Sequence, residues 1–192
     1  MKILVINGSA RADGNTAALL RQALSPLEGA GFETELLQLA NLSVEPCRAC
    51  WACGGRENCA RRGDDFGEIF ERMKAADALL LGSPTYGANI SARMQALLER
   101  AAVVCDMNPG LMARKPAAAV SAARRGGALQ AVDAMNHFFL NHEMLVVGST
   151  YWNLGYGRAP LEVEADAEAR ANMENLGRNM VWLLNALRRN EG

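Results

Sequence analysis

Four of the chain's five cysteines fall within "CRACWACGGRENC", where Cys47, Cys50, Cys53 and Cys59 are separated by two, two and five residues. Thiols crowded in this way serve as a disulfide staple, a zinc knuckle, a dithiol redox pair or the seat of an iron–sulfur cluster. The odd number of cysteines fits poorly with complete disulfide pairing. Zinc sites usually join two knuckles, or a knuckle and a histidine pair, across a gap of about a dozen residues or more. Here three cysteines recur at every third position, and the only histidines, His137 and His142, lie far along the chain in an expected helix and at its end. A thioredoxin-like pair would open a helix after a strand, whereas Pro46 and Gly54-Gly55 mark this stretch as loop. A repeated CxxCxxC wraps three thiolates around one compact multi-metal centre, and Cys59 is available as the fourth. Zinc and free thiols stay open as alternatives. Cys105 stands apart, at helical spacing with Met94, Leu97, Leu98 and Ala101, where a free cysteine behaves as a small hydrophobe.

A second constellation is "NGSARADGNT", Asn7 to Thr16, which follows the first strand-like run and opens a helical pattern. It is neither a GxGxxG fingerprint nor an NTP-binding loop, since it lacks the GK[ST] ending and with it the lysine for outer phosphates. Its groups suit one terminal phosphate: the hydroxyls of Ser9 and Thr16, the Asn15 amide, the Arg11 fork, and backbone N–H groups at a helix N-terminus. Gly8 and Gly14 allow close backbone approach. The plainer alternative is that Asn15 or Thr16 caps the helix and Arg11 is solvated. Two further loops follow later strands. "GSPTYGANIS" (Gly82–Ser91) builds a turn with Pro84 and Gly87 on which Thr85 and Tyr86 can face a planar ring, and "SAARRGGALQ" offers Gly126-Gly127 as backbone donors for a ring edge.

The elements that must position these loops alternate strand and helix: "KILVIN", "NTAALLRQAL", "FETELLQL", "FGEIFERMKAA", "DALLLGSP", a helix through Met94 to Cys105, "KPAAAVSA", "ALQAVDAMNHFFLNH" and "EMLVVGST". The unbroken apolar run of the third strand suits burial on both faces, beside the first strand. A last helix, about Ala165 to Arg189, lines Ala169, Met173, Leu176, Met180, Leu183 and Leu187 on one stripe. Such alternation makes a doubly wound parallel α/β sheet with helices on both faces, in one domain spanning residues 1–192. Two irregular stretches, Asn41–Asp65 and Tyr151–Glu164, are long enough to be functional.

A net charge of −1, with arginines scattered along the chain, argues against a nucleic-acid partner. The apolar run before Asn7 is too short for a secretory signal, and no stretch approaches the ~18 apolar residues of a membrane span. The expectation is a soluble cytoplasmic protein without a membrane partner.

Together the three loops resemble the flavodoxin-like NAD(P)H-dependent FMN reductase family, with its GSxRxxGNT phosphate loop, SPxYxxxxS turn and Gly-Gly loop. The resemblance runs from Lys2 to about Gly148, and Ala88-Asn89 is a departure within the second loop. It implies a five-stranded sheet in the order 2-1-3-4-5. It also implies FMN held by Ser9, Arg11, Gly14, Asn15, Thr16, Pro84, Thr85, Tyr86, Gly87, Gly126 and Gly127. The cysteine spacing resembles the iron–sulfur flavoprotein branch, which implies a [4Fe–4S] cluster on Cys47, Cys50, Cys53 and Cys59. The implied activity is FMN-dependent electron transfer, with NAD(P)H or a ferredoxin as redox partner and no catalytic side chain, because the cofactors carry the chemistry. A cluster-free NAD(P)H-dependent FMN or quinone reductase is the alternative, and a non-enzymatic metal-binding or FMN-storage module a third. Tyr151, Trp152 and Tyr156 either pack under the last helix or cover the flavin by self-association into a homodimer or homotetramer.

Overall fold

The computed structural model describes residues 1–190. Its sheet is parallel and begins with β1 (Lys2–Asn7), β2 (Glu33–Gln38), β3 (Ala78–Pro84) and β4 (Pro116–Ala123). The order is β2-β1-β3-β4 followed by β5 (Leu145–Val146), the order that the flavodoxin-like resemblance implies. Period-two alternation on β1 sends Ile3 and Val5 to one face and Leu4 and Ile6 to the other, all four fully buried. The first face is covered by α1 (Asn15–Gly29) and α5 (Ala167–Asn190). The second is covered by α2 (Phe66–Ala75), α3 (Ala92–Met107) and α4 (Ala128–Asn141). On α5 the buried stripe runs Ala169, Met173, Leu176, Met180 and then Leu184, while Leu183 is only partly buried.

The expected fifth strand is the one element that differs. Instead of a continuous "EMLVVGST", the fifth position holds two short strands, β5 and β6 (Leu154–Tyr156), which pair with different parts of β4. Between them the chain leaves the sheet and is fastened to α5 by amides: Asn172 Nδ2 donates to the Trp152 carbonyl at 2.9 Å, and Asn179 Nδ2 to Gly148 at 2.9 Å. These side-chain bonds replace the ladder bonds a longer strand would have made. The turn leaves Tyr151, Trp152 and Tyr156 about half exposed (52, 52 and 45 %), so they do not pack under α5. Asn41–Asp65 carries no strand or helix beyond its first residue, and among the described residues no helix is long and apolar enough to cross a membrane.

Candidate functional site

The carboxyl ends of β1, β3 and β4 frame a cavity of about 220 Å³. Its floor is the loop after β1, held rigid by a chain of hydrogen bonds. Asn7 is buried, donates to Gln38 Oε1 (2.7 Å) and accepts from the Ser9 N–H (3.0 Å), while Ser9 Oγ accepts from the Arg11 N–H (3.1 Å). Gln38 in turn donates to the Ala12 carbonyl at 3.3 Å. The loop delivers the chain into α1 with Gly14 at the N-cap, without a side-chain cap and without an acidic residue in the first turn. The capping alternative for Asn15 and Thr16 is therefore not realised. Uncapped N–H groups and the positive end of the helix dipole favour an anion at this position.

The walls carry Ser9, Arg11, Gly14, Asn15, Thr16, Pro84, Thr85 and Tyr86, together with Ala122, Ala123, Arg124, Gly157 and Arg158. Three guanidiniums and no carboxylate line the space, so its charge matches a phosphate. Arg124 and Arg158 were not singled out by sequence reasoning, although each sits in a loop that was. The Asn15 amide, within the lining, also bonds backbone. It donates to the Ala159 carbonyl (2.9 Å) and accepts from the Val163 N–H (3.2 Å), tying the loop that carries Arg158 to the start of α1. That loop is also shaped by Glu162, whose carboxylate accepts the N–H groups of Ala159 and Arg158 and is thereby held below the usual carboxylate range.

On the ring side, Thr85 is anchored to β4 through its N–H to the Ala122 carbonyl (2.8 Å) and its hydroxyl to Ser121 Oγ (2.9 Å). Tyr86 and Asn89 exchange backbone hydrogen bonds at 2.9 and 3.1 Å across Gly87 (φ 57°) and Ala88 (φ 58°). That tight turn leaves the Tyr86 ring about half exposed. Gly87, Gly126 and Gly127 stand outside the lining of this cavity, in the turn and the loop at its edge. Gly127 (φ 85°) instead packs against the turn, where a Cβ would lie 2.9 Å from Ala88 Cα. It joins the second and third loops.

The cysteines form a separate place. Cys47, Cys50, Cys53 and Cys59 all line one cavity of about 310 Å³, with Pro46, Trp51, Arg61, Arg100 and Val103 among its other walls. They stand as free thiols: Cys50 exposed, Cys47 and Cys59 half-buried, Cys53 buried. Backbone turns gather them, since Ala49 (φ 49°) and Trp51 (φ 57°) adopt the left-handed conformation between successive cysteines. For non-glycine residues this costs about 1–2 kcal/mol each, strain of the kind found at functional sites. The loop is bound to α3 along its length: the Cys47 N–H donates to Glu99 (3.0 Å), Asn108 to the Cys53 carbonyl (3.0 Å), and the Cys53 thiol lies 3.8 Å from the Val103 carbonyl. Burial, more than the other thiols nearby, pushes the Cys53 thiol up. At the loop's end Asp64 pairs with Arg100. Burial alone would raise the Asp64 carboxyl, but the Arg100 guanidinium, the Glu45 N–H and Arg61 hold it below its usual range.

Among the described residues, no three His, Cys, Asp or Glu side chains converge on a point that one metal ion could occupy. The thiols are spread around a cavity wall instead. The two cavities share no residue. Ser91, at the N-cap of α3, donates its hydroxyl to the Gly8 carbonyl (2.7 Å), and Arg100 lies nine residues along the same helix, about 14 Å away at 1.5 Å per residue. Cys105, facing the core, is pushed up to about 12 chiefly by burial and belongs to neither site.

Residues 1–159 match the family model described as NADPH-dependent FMN reductase. An iron-sulfur flavoprotein of Methanocaldococcus jannaschii is 34% identical over 197 residues, covering 98% of this chain and 100% of that protein. One of Methanosarcina thermophila is 35% identical, over 77% of this chain and 78% of its own length. Among solved structures, RosB with a bound riboflavin-phosphate intermediate superposes with a TM-score of 0.78 at 20% identity, covering 98% of this chain and 81% of that one. An archaeal flavodoxin superposes at 0.57 and 14%, covering 94% and 99%, and both structures speak to the fold alone. The chain belongs to the NADPH-dependent FMN reductase family, in its iron-sulfur flavoprotein branch.

Proposed function

We propose that this chain is an FMN-dependent oxidoreductase that also carries a [4Fe–4S] cluster on Cys47, Cys50, Cys53 and Cys59 and passes electrons between the two. The observation that carries the reading is the pairing of a carboxylate-free, three-arginine cavity at an uncapped helix N-terminus with a second cavity lined by four free thiols. The donor sets fit the groups. Uncapped N–H groups, Ser9 and three guanidiniums suit the dianionic end of FMN, and Pro84, Thr85 and Tyr86 provide a surface for its ring. Four thiolates spread around a wall suit a cubane, in which each sulfur meets a different iron, better than a zinc ion, which needs all four within ~2.3 Å of one point.

When bound, the flavin supplies one- and two-electron chemistry and the cluster one-electron exchange. The chain's residues bind and orient. Asn7 and Gln38 fix the phosphate loop, Asn15 and Glu162 hold the Arg158 loop over it, and Thr85 is pinned to β4 so that the turn presents Tyr86 at the opening. Either NAD(P)H or a small iron–sulfur protein would deliver electrons. The half-exposed Tyr151, Trp152 and Tyr156 run straight into the Arg158 loop, which supports self-association, as homodimer or homotetramer, with a neighbour covering the flavin. Anaerobic purification with flavin identification, visible and EPR spectra, and iron, sulfide and zinc analysis tests the reading. FMN with four irons and four sulfides per chain supports it. FMN alone, or with one zinc, replaces it by a cluster-free reductase.

A further inference from the structure

Arg100 is a charged side chain on the core face of α3, only 1% exposed, where a buried cation is costly unless its donors are satisfied. Its partners are unusual. Nη1 pairs with the buried Asp64 carboxylate and donates to the Glu45 carbonyl (3.2 Å), Nη2 reaches the Arg61 carbonyl (3.5 Å), and Nε donates to Cys59 Sγ at 3.2 Å. The guanidinium lies over the Phe66 ring, 4.3 Å from its centroid. Phe66 is itself stacked on Phe70 at 5.5 Å. The ion pair, the two carbonyl bonds and the Phe66 ring beneath hold the fork, and with it the direction of the Nε–H bond. Stapling the loop would require only Asp64 and the two carbonyls; the fourth donor is aimed at a sulfur.

We infer that Arg100 is a positioning residue that sets the reduction potential of the centre held by the cysteines, through a fixed, permanently charged N–H donor to the Cys59 sulfur. This rests on the reading of the four cysteines as cluster ligands. Reduction adds one electron, much of whose charge is shared with the ligating sulfurs. A donor at sulfur and a cation nearby stabilise that extra charge more than they stabilise the oxidised state, so the midpoint potential rises. Asp64 partly offsets the cation. Because Nε, rather than the carboxylate, faces Cys59, the positive end of the ion pair is presented to the centre. The two members of the pair should consequently act with opposite signs.

The test is an anaerobic, dye-mediated redox titration of the reconstituted holoprotein, followed by EPR, on the wild type, Arg100→Lys and Asp64→Asn. Lysine keeps the charge beside Asp64 but lacks the planar fork and its Nε–H. Arg100→Lys is expected to keep its iron and sulfide while lowering the cluster's midpoint, so that the reduced-to-oxidised ratio at the wild-type midpoint falls about tenfold, ~59 mV for one electron. Asp64→Asn, which leaves the sulfur donor in place, is expected to raise it. The flavin potential, set in a cavity that shares no residue with this one, should move in neither. A loaded Arg100→Lys with an unchanged midpoint overturns the proposal and leaves Arg100 a staple. If Arg100→Lys fails to load, Asp64→Asn decides, an upward shift supporting the proposal and an unchanged or lowered midpoint refuting it. A wild type that takes up no iron and sulfide shows instead that the cluster reading fails, and this inference falls with it.

Discussion

Arg11→Ala should weaken FMN binding while sparing riboflavin. Arg11 lines the first cavity with Arg124 and Arg158, all three exposed at its rim, and its backbone N–H is held by Ser9 Oγ, so truncation removes the fork without loosening the loop. A charge-assisted hydrogen bond contributes ~1.5–3 kcal/mol. Solvent screening and two neighbouring guanidiniums that can compensate place a single truncation near the lower limit, about 1.5 kcal/mol, or roughly a tenfold rise in Kd. Riboflavin has the same ring without the phosphate. Titrating both ligands into both proteins by flavin fluorescence makes a cycle whose coupling isolates the Arg11–phosphate interaction from any change in the ring site. The coupling should shrink as salt rises from ~0.1 M to ~1 M, where screening shortens from ~10 Å to ~3 Å. Equal loss for the two ligands, or no loss for FMN, would refute phosphate binding in this cavity.

Cys53→Ala or Cys59→Ala should abolish the broad cluster absorption and retain the flavin bands, because the cavities share no residue, whereas Cys105→Ala should keep both. His142 is buried against the Phe138 ring, and burial lowers its pKa further than Asp106 raises it. The unfolded chain therefore takes up a proton the folded chain refuses, so stability is full above ~6.5 and falls as pH drops, by at most ~1.4 kcal/mol per pH unit; His142→Gln should flatten this in urea melts between about pH 7.5 and about 5.5. Light scattering at micromolar concentration should find a dimer or tetramer, and Trp152→Ser should shift it toward monomer. A wild-type monomer would remove the proposed cover for the flavin.

The strand pattern and the three loops were legible because parallel strands buried on both faces give continuous apolar runs, and because turns at their carboxyl ends require glycine, proline and small polar residues. β1 and β3 show this directly. The divided fifth strand was not legible, since "MLVVG" has strand propensity throughout and the amides that fasten the following turn to α5, Asn172 and Asn179, stand 20 and 31 residues beyond the carbonyls they bond. The backbone bond of the Asn15 amide was not legible either, because its partner lies 144 residues away. Arg100 did leave a signal: it stands three residues after Leu97 and four before Val104, a charge on the apolar stripe of α3.

α3 is the element that makes two separate cavities one device. Its N-cap serine bonds the backbone of the phosphate loop at Gly8 and accepts from Met94 N–H, and Gly8 itself can only come that close because a Cβ there would meet Met94 at 3.0 Å. Two and a half turns further on, Glu99 and Arg100 grip the cysteine loop at Cys47 and Cys59. A helix is stiff over this distance, so α3 holds the two loops at a fixed spacing. The cysteine loop has no strand or helix of its own, and it is shaped by α3 together with α2, where Asn58 donates to the Gly67 carbonyl (3.0 Å) and to Glu71 Oε1 (2.6 Å). Its geometry is accordingly set by the same packing that positions the phosphate loop, with Leu97, Leu98, Ala101 and Val104 of α3 buried in one continuous core against Leu4, Ile6, Leu79 and Leu81 of the sheet.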